Sequence, residues 1–372
     1  MIYADHAATT PLCEQAFDAM LPYLKGNFAN PSSQYKIGLS AKQAINKARK
    51  NIAESLGCMA NEIYFTSGGS ESNSWAIWNL VLKSNLKQIL TTPIEHHSIL
   101  NAFNSMKTLG VGAKYLKIDN TGLVDLNSLE SQIKRASAVS IQYANNEVGT
   151  IQQIQEISDI CRKNDVLFHS DAVQAVGHIK IDINSVDMLS ASAHKFGGPK
   201  GIGFLYVKNG IKLKPLIYGG GQEFSYRGGT ESVANIVGMA VALEKSINEM
   251  HEYQTKMQNI ENEFYKTLAC QLPDVIFNGN KKSKISSIVS VTIPNYLAEK
   301  LVYKMDMQDI CISAGSACDQ NASGKVNPSH VLTSMGITYD KAICTVRFSF
   351  GVTNNIGDGE KVANQLIKII KG

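Results

Sequence analysis

A lysine beside a histidine and a glycine-rich turn is the most chemically informative feature of the sequence. Lys195 lies within the segment Ser192–Gly203 (SAHKFGGPKGIG), and apolar runs precede and follow this segment. The runs predict two buried strands with the lysine at the turn between them. Burial disfavours the ammonium form, so it lowers the pKa of the amine towards the neutral nucleophile that carbonyl chemistry needs. We therefore predict that Lys195 forms a Schiff base.

An aspartate about two dozen residues upstream could complete such a site. Val166-Leu-Phe predicts a short buried strand, and Asp171 would lie at its carboxyl end, where open α/β sheets bind ligands. On its own, an aspartate there is typical of a helix N-cap. Together with Lys195, it suggests pyridoxal 5'-phosphate, whose ring nitrogen is commonly kept protonated by an aspartate. Gln174 follows one helical turn later and is a further candidate contact.

Two other segments suit the binding of anions. Thr66-Ser-Gly-Gly-Ser follows an apolar run and precedes a helical pattern, so its small residues would expose backbone N–H groups to a phosphate at a helix N-terminus. Arg347 lies in the alternating strand pattern Thr345-Val-Arg-Phe-Ser. Its guanidinium could bind a carboxylate through two hydrogen bonds, although a surface salt bridge is the commoner role of an arginine.

The motifs, in their order along the chain, resemble those of class V aminotransferase-like pyridoxal phosphate enzymes, and among these the cysteine desulfurases of the NifS/IscS type. The resemblance covers nearly the whole chain and rests on segments that begin at Tyr3, Asn30, Phe65, Glu95, Asn145, Phe168, Ser192, Arg227, Ser313 and Arg347. It implies fold type I, with a large domain built on a mostly parallel seven-stranded sheet and a smaller α+β domain.

The resemblance also assigns roles to individual residues. It implies that Lys195, Cys318 and His96 are catalytic, with His96 stacked on the cofactor ring. Cofactor contacts are implied for Gly69, Ser70, Asn145, Asp171, Gln174, Ser192, His194 and Thr230. Asn30 and Arg347 are implied to bind the substrate, with Arg347 on its α-carboxylate. Because the family's matching threonine reaches the phosphate bound by the other subunit, Thr230 implies a homodimer.

The segment around Cys318 bears on the type of reaction. Small residues surround this cysteine in Ser313-Ala-Gly-Ser-Ala-Cys, which predicts an exposed, mobile loop suited to a nucleophile that visits the cofactor. The expected reaction converts L-cysteine to L-alanine and leaves a persulfide on Cys318 for a sulfur-acceptor protein. Asp319 and Gln320 replace the small hydroxylic residues common at these positions in the family, so L-selenocysteine remains an alternative substrate.

Two more distant alternatives stay open. A class V aminotransferase would release a keto acid and would not need Cys318. A cofactor-bearing interaction protein without turnover is the non-enzymatic alternative, although a complete set of catalytic residues disfavours it. No Gly-x-Gly-x-x-Gly segment opens a helix after a first strand, which argues against a nicotinamide-binding protein.

The elements that must position these residues follow an alternating pattern. Strand-like runs at Gln88-Ile-Leu-Thr-Thr and Ala138-Val-Ser-Ile-Gln alternate with helical patterns at 40–56 and 154–163. Such alternation predicts a mostly parallel sheet with helices on both faces. We expect a large domain over residues 14–250 and a small one over 251–372, and the resemblance implies that residues 1–13 join the small domain. The stretch 242–268 predicts one long connecting helix.

Composition fits an ordinary enzyme of 372 residues. The net charge is +4 and no basic tract occurs, so we expect no nucleic-acid or membrane partner. The N-terminus lacks the pattern of a signal peptide, and no apolar run is long enough to span a bilayer. Seven scattered cysteines show no zinc spacing and fit a reducing compartment. We therefore expect a cytoplasmic protein without a metal.

Overall fold

The computed structural model describes residues 1–82, 88–314 and 328–372. Cys318, Asp319 and Gln320 lie outside these residues. The strands of the described chain are β1 (Ile2–Tyr3), β2 (Ile63–Thr66), β3 (Gln88–Thr91), β4 (Gly112–Tyr115), β5 (Ala138–Ser140), β6 (Leu167–Asp171), β7 (Met188–Ser192), β8 (Gly203–Val207), β9 (Ile276–Asn278), β10 (Ile288–Thr292), β11 (Ile310–Cys311) and β12 (Thr345–Ser349).

Helices separate most of these strands. They are α1 (Glu14–Lys25), α2 (Lys36–Leu56), α3 (Gly69–Leu82), α4 (His97–Met106), α5 (Leu126–Gln132), α6 (Ile154–Lys163), α7 (Gln222–Ser225), α8 (Val233–Asn248), α9 (Met250–Gln271), α10 (Ala298–Asp306), α11 (His330–Ser334), α12 (Tyr339–Ala342) and α13 (Asp358–Lys371). α7 is a single tight turn whose interior residues have positive φ. No helix among the described residues is long and apolar enough to cross a membrane.

The main sheet has seven strands in the order β2-β8-β7-β6-β5-β3-β4. The pairs β3/β4, β3/β5, β5/β6 and β6/β7 are parallel, whereas β8 runs antiparallel to both β2 and β7. The predicted mostly parallel seven-stranded sheet is therefore confirmed. Since β5, β6 and β7 are buried along nearly their whole length, they appear in the sequence as continuous apolar or small-residue runs.

Hydrophobic periodicity explains where the helices pack. α6 buries Ile154, Ile157 and Cys161, spaced three and four residues apart, and leaves its charged residues outside. α2 likewise buries one stripe and ends at Gly57, whose φ of 76° places it in the left-handed region that glycine adopts without strain. These helices cover the sheet and fix the loops at its ends.

A second apolar cluster lies around the antiparallel sheet β12-β10-β9. α9 and α13 contribute Phe264 and Leu366 to it, and the N-terminal segment contributes Ala4. β1 pairs in parallel with β11, so the first residues of the chain join elements near its end. This pairing brings residues 5–10 to the region where β6 and β7 end.

The predicted single helix over 242–268 is wrong in one respect. α8 ends at Asn248 and α9 begins at Met250, with Glu249 between them at φ −95° and ψ 4°. The N–H of Glu249 still bonds to the carbonyl of Lys245. Asparagine is a weak helix former, which fits a break at this position. After the break, α9 packs in the second cluster.

Candidate active site

A cavity of about 380 Å³ opens where β6 and β7 end and α3 begins. Its lining includes most of the polar residues that the sequence singled out. They are Gly69, Ser70, His96, Asp171, Gln174, Ser192, His194, Lys195 and Arg347. A cavity at the carboxyl ends of parallel strands is the usual ligand site of an open α/β sheet.

A chain of hydrogen bonds runs from Asp171 to His96 across the cavity wall. The Asn73 side-chain nitrogen donates to Asp171 Oδ2 over 2.6 Å and to Ser98 Oγ over 2.9 Å. Ser98 Oγ lies 2.8 Å from His96 Nδ1. Asp171 Oδ1 accepts the backbone N–H of Val173, so both carboxylate oxygens are held. Asp171 is thus a fixed negative charge at the end of the central strand β6.

His96 is the N-cap of α4, and its ring lines the cavity. The backbone N–H of Ser98 donates to Nδ1 over 3.2 Å, which leaves the proton of the neutral ring on Nε2. Desolvation is the largest effect on the pKa of His96 and lowers it, while the Asp171 carboxylate acts in the opposite direction. The neutral ring is therefore the stable form at neutral pH.

Lys195 is a strongly perturbed base of the cavity. Its ammonium group donates to the carbonyls of Ala7 and Ala8 over 2.5 and 2.9 Å. The pKa of Lys195 is lowered to about 8: burial and then the positive charge of Arg347 lower it, and Asp5 and Asp171 partly offset them. An amine with this pKa is partly neutral near physiological pH, as a Schiff-base nucleophile must be.

Glycines make room for an anion at the start of α3. Gly68 has a φ of 145°, which favours glycine, and a Cβ on Gly69 would lie 2.6 Å from Val173 Cγ2. Ser192 faces the same space, since its hydroxyl would lie 3.6 Å from a Cβ on Gly68. The open backbone at the N-terminus of a 14-residue helix can receive a phosphate.

The N-terminal segment closes the cavity on the side of His194 and Gln174. Gln174 Nε2 donates to the carbonyl of Ala7 over 2.8 Å. His194 Nδ1 lies 3.1 Å from the hydroxyl of Thr9, and burial lowers the pKa of His194 to about 4. A neutral His194 can donate one hydrogen bond to an anion without bringing a charge.

Arg347 forms the wall opposite the sheet. One terminal nitrogen donates to Asp5 Oδ1 over 2.7 Å and the other to the carbonyl of Asn146 over 3.0 Å. Its Nε is buried and has no hydrogen-bond partner among the described residues. The guanidinium is therefore fixed by a partly buried ion pair, and its free Nε can still donate to an acidic ligand.

Three predicted residues are not brought into the cavity by this chain. Asn145 is fully buried, and its side-chain oxygen accepts the N–H groups of Glu147 and Val148. These hydrogen bonds hold the side chain against the following loop. Asn30 is exposed and its side chain accepts the N–H of Ser32 in a turn before α2. Thr230 is exposed on the loop after α7. Cys318 lies outside the described residues.

Sequence reasoning missed Gln142, which lines the cavity, and four further site residues. They are Asn73, Ser98, Asn146 and Asp5, and each lies inside a motif that had been identified for another residue. Asn73 follows Gly69 by one helical turn, so it had to face the same side of α3. Ser98 follows the N-cap His96 by two residues. Asp5 lies in the motif that begins at Tyr3, but no local pattern indicates its contact with Arg347, which spans almost the whole chain.

A second buried carboxyl lies behind the cavity. Glu95 is fully buried and accepts hydrogen bonds from Thr92 Oγ1 and the N–H of Gln142. Burial raises the pKa of Glu95 to about 8, so it is mostly protonated at neutral pH. Because Glu95 is then neutral, it adds no second negative charge beside Asp171.

Comparison with known proteins identifies the family. The family model described as aminotransferase class-V matches residues 2–362. The cysteine desulfurase IscS of Clostridium botulinum is 40% identical over all of this chain and 94% of its own length. The cysteine desulfurase IscS of Methanosarcina thermophila is also 40% identical, over 100% of this chain and 92% of its own length.

Solved structures give the same result. A NifS-like protein from Rickettsia africae superposes with a TM-score of 0.90 at 33% identity, covering all of both chains. SspA in complex with cysteine superposes with a TM-score of 0.81 at 36% identity, over 94% of this chain and 99% of its own. The chain belongs to the aminotransferase class-V family and, within it, to the cysteine desulfurases.

Proposed function

We propose that this protein is a pyridoxal phosphate-dependent cysteine desulfurase that converts L-cysteine to L-alanine and retains the sulfur as a persulfide on Cys318. The observation that carries the proposal is the placement of Lys195 and Asp171 in one cavity opposite Arg347. This arrangement offers an amine for the cofactor aldehyde, a carboxylate for its ring nitrogen and a cation for an amino acid. The relatives named as cysteine desulfurases support L-cysteine as the substrate.

The residues present fit pyridoxal phosphate, the cofactor of this family. Two buried polar atoms of the lining, Asn73 Oδ1 and Gln142 Nε2, have no partner among the described residues, as expected of a wall that receives a polar ligand. We infer phosphate contacts for Gly69, Ser70, Ser192 and His194, and ring contacts for His96, Asp171 and Gln174. When bound, the cofactor supplies an electron sink for the carbon atoms of the substrate.

Lys195 serves as the proton carrier of the reaction. Its amine, whose pKa is lowered to about 8 in the cavity, can take a proton from the substrate's α-carbon. Asp171 favours protonation of the ring nitrogen through its fixed negative charge. Neutral His96 can donate from Nε2 into the cavity.

Arg347 binds the α-carboxylate of the substrate in this proposal. Its orphan Nε can donate to one carboxylate oxygen, and a bidentate contact requires one terminal nitrogen to leave Asp5 or the Asn146 carbonyl. Solved SspA, a structural neighbour, is in complex with cysteine. Asn30 remains a further candidate for substrate binding, although it does not line the cavity of a single copy.

The sulfur transfer follows from the chemistry of a thiolate. The Cys318 thiolate attacks the sulfur of the substrate, and an S–S bond forms as the substrate's C–S bond breaks. The carbon atom keeps the electron pair, takes a proton and leaves in alanine. The persulfide then passes to a sulfur-acceptor protein, whose identity is outside this proposal. Selenocysteine is the second candidate substrate, since a selenol leaves more readily and could need Cys318 less.

We also propose a homodimer. Thr230 is exposed on a loop rich in glycine and would reach the cofactor phosphate of a second copy. Co-expression of Lys195→Ala with Thr230→Ala chains provides a test at limiting cofactor. A hybrid dimer contains one site with both residues intact, so activity should exceed that of either variant alone. Activity no higher than that of the separate variants would contradict a shared site.

Two further features belong to the proposal. We infer a large domain over 14–250 and a small one over 1–13 with 251–372, supported by the apolar cluster that combines Ala4 with residues after Met257. We also infer a cytoplasmic location, supported by the free thiols of the six cysteines that the structure describes, Cys13, Cys58, Cys161, Cys270, Cys311 and Cys344.

The test is to incubate cofactor-loaded protein with L-cysteine or L-selenocysteine under a thiol reductant and to quantify alanine, sulfide or selenide, and keto acid. Alanine and sulfide in equal amounts from cysteine would support the proposal. Turnover of selenocysteine alone would make the protein a selenocysteine lyase. A keto acid product with conversion to the pyridoxamine form would indicate an aminotransferase.

A further inference from the structure

Two ion pairs hold the glycine loop, residues 218–230, one against α2 and β2 and the other against the start of α3, on either side of the turn where we expect the phosphate. The first joins Arg49 with Glu223 through hydrogen bonds of 2.8 and 2.6 Å. The second joins Arg227 with Glu71 through hydrogen bonds of 2.8 and 3.0 Å. Both carboxylates also accept a backbone N–H next to the turn.

The Arg49–Glu223 pair holds the loop against the edge of the main sheet. β2 is the outermost strand, so one side of it has no neighbouring strand. Arg49 donates to the carbonyl of Ile63, and Glu223 accepts the N–H of Phe65 over 2.8 Å. The two side chains therefore bind β2 in place of a further strand.

The loop backbone is strained where it makes this contact. Glu223, Phe224 and Ser225 have φ values of 45°, 58° and 67°, which residues with a Cβ rarely adopt. Such a conformation persists only where surrounding contacts determine it. The buried ion pair and the stacking of the Arg49 guanidinium between Phe65 and Phe224 provide those contacts.

The Arg227–Glu71 pair lies at the first turn of α3. Glu71 accepts the N–H of Ser67 over 2.8 Å and so shapes the turn that Gly68 and Gly69 continue. Burial acts to raise the pKa of Glu71, but the hydrogen bonds from Arg227 and Ser67 together lower it below its ordinary value. Glu71 is thus an ionised carboxylate beside a proposed phosphate site, where its charge would repel the ligand.

We propose that Arg227 is a positioning residue that cancels the charge of Glu71, so that the phosphate turn keeps its shape without repelling the phosphate. Glu71 supplies the geometry, and Arg227 supplies the compensating charge from the loop that carries Thr230. This role deepens the proposed function and rests on it, because it concerns the cofactor phosphate. Arg227 does not itself line the cavity.

The experiment measures the affinity of the apo protein for pyridoxal phosphate in four variants: Arg227→Met, Glu71→Gln, the double variant and Arg162→Met. Arg227→Met leaves Glu71 uncompensated and should weaken binding about tenfold or more, since a charged hydrogen bond has that effect. Glu71→Gln removes the repulsion along with the pair and should change affinity by less than about threefold. Arg162, paired with Asp159 on an exposed face, is the matched control and should leave affinity unchanged.

The double variant distinguishes charge compensation from the mere loss of the contact between Arg227 and Glu71. If Arg227 acts by cancelling charge, Glu71→Gln should restore most of the affinity lost in Arg227→Met. A double variant that binds as weakly as Arg227→Met, or an Arg227→Met protein that binds as tightly as the parent, would overturn the proposal.

Arg227→Lys covers the case in which Arg227→Met does not fold. Lysine keeps the positive charge but cannot form the two parallel hydrogen bonds of the guanidinium. The affinity for pyridoxal phosphate should therefore stay within about threefold of the parent value. A loss as large as that expected for Arg227→Met would overturn the charge-compensation role. A parent protein that does not bind pyridoxal phosphate would instead contradict the proposed function. The measurement on the parent alone distinguishes this failure from a failure of the role proposed for Arg227.

Discussion

The cavity wall formed by the main sheet takes its polar groups from residues that directly end a strand or begin a helix, whereas the facing wall combines three distant parts of the chain. Asp171 and Ser192 end β6 and β7, and Gly69 begins α3. On the other side, Arg347 meets Asp5 and the Asn146 carbonyl through contacts spanning 342 and 201 residues.

The two walls also differ in how their charges are balanced. Asp171 is held by hydrogen bonds from neutral groups, so its negative charge stays available to a ligand. Arg347 is already paired with Asp5, so a ligand carboxylate must share or displace that partner. We infer that the sheet wall holds the cofactor permanently and the facing wall binds a substrate that must leave again. The following variants test this division.

Lys195→Ala should have the largest effect. The variant loses both the amine for the cofactor aldehyde and the proton carrier, so the rate of alanine formation from L-cysteine should fall about 1000-fold or more. Initial rates are compared under saturating cofactor. An exposed replacement, Lys200→Ala, serves as control and should retain the parental rate. Turnover by Lys195→Ala at that rate would exclude the proposed mechanism.

Asp171→Asn should have the next largest effect. Loss of the carboxylate removes the charge that keeps the ring nitrogen protonated, and kcat should fall about 100-fold. Stopped assays on samples of equal cofactor content measure kcat without a contribution from occupancy. The exposed Asp159→Asn is the matched control. An unchanged kcat would mean that the sheet wall does not act through this charge.

Arg347→Lys tests the facing wall. Lysine keeps the positive charge but loses the fork, so KM for L-cysteine should rise about 10-fold to 100-fold while the cofactor stays bound. Steady-state kinetics and cofactor absorbance are measured on the same samples, with Arg135→Lys on the surface as control. Loss of cofactor at unchanged KM would reverse the roles assigned to the two walls.

Asp5→Asn should give the smallest effect, a shift in pH dependence. The pKa of Lys195 is lowered to about 8 mainly by burial, and Asp5 is one of the groups that raise it. Removing this negative charge destabilises the ammonium form, so the pKa should fall below its parental value. Capture of pyridoxal phosphate by the apo protein requires the neutral amine and should therefore reach half its maximal rate at a lower pH.

The readout is the rate of cofactor capture as a function of pH, with Asp182→Asn on the surface as control. A midpoint that stays in place or moves upward would show that Asp5 does not act on Lys195. Because Asp5 also pairs with Arg347, KM is measured in parallel to separate the two contacts of this carboxylate.

Most of the sheet wall could be predicted from the sequence, because each of its residues is fixed by local structure. A strand end determines where Asp171 and Ser192 point, and a helix N-terminus determines the environment of Gly69. The alternation of strands and helices predicted a mostly parallel sheet, whereas fold type I with seven strands and the roles of Ser192 and His194 were implied by the resemblance. These predictions needed no knowledge of contacts between distant segments.

The remaining features depend on tertiary contacts. Asn145 and Asn146 are neighbours of the same type, and only the turn formed by the Asn145 side chain decides that Asn146 lines the cavity. The pairing of Asp5 with Arg347 requires β1 to lie beside β11, which no local pattern indicates. The Arg49–Glu223 pair likewise joins a helix to a loop 174 residues away.

The most direct test of the central claim is the mass of the intact protein after one turnover of L-cysteine without reductant, for the parent and for Cys318→Ala. We predict that the parent gains the mass of one sulfur atom and releases one equivalent of alanine, while Cys318→Ala does neither. Release of alanine by Cys318→Ala at the parental rate, or a parent chain of unchanged mass, would contradict a desulfurase that works through a persulfide on Cys318.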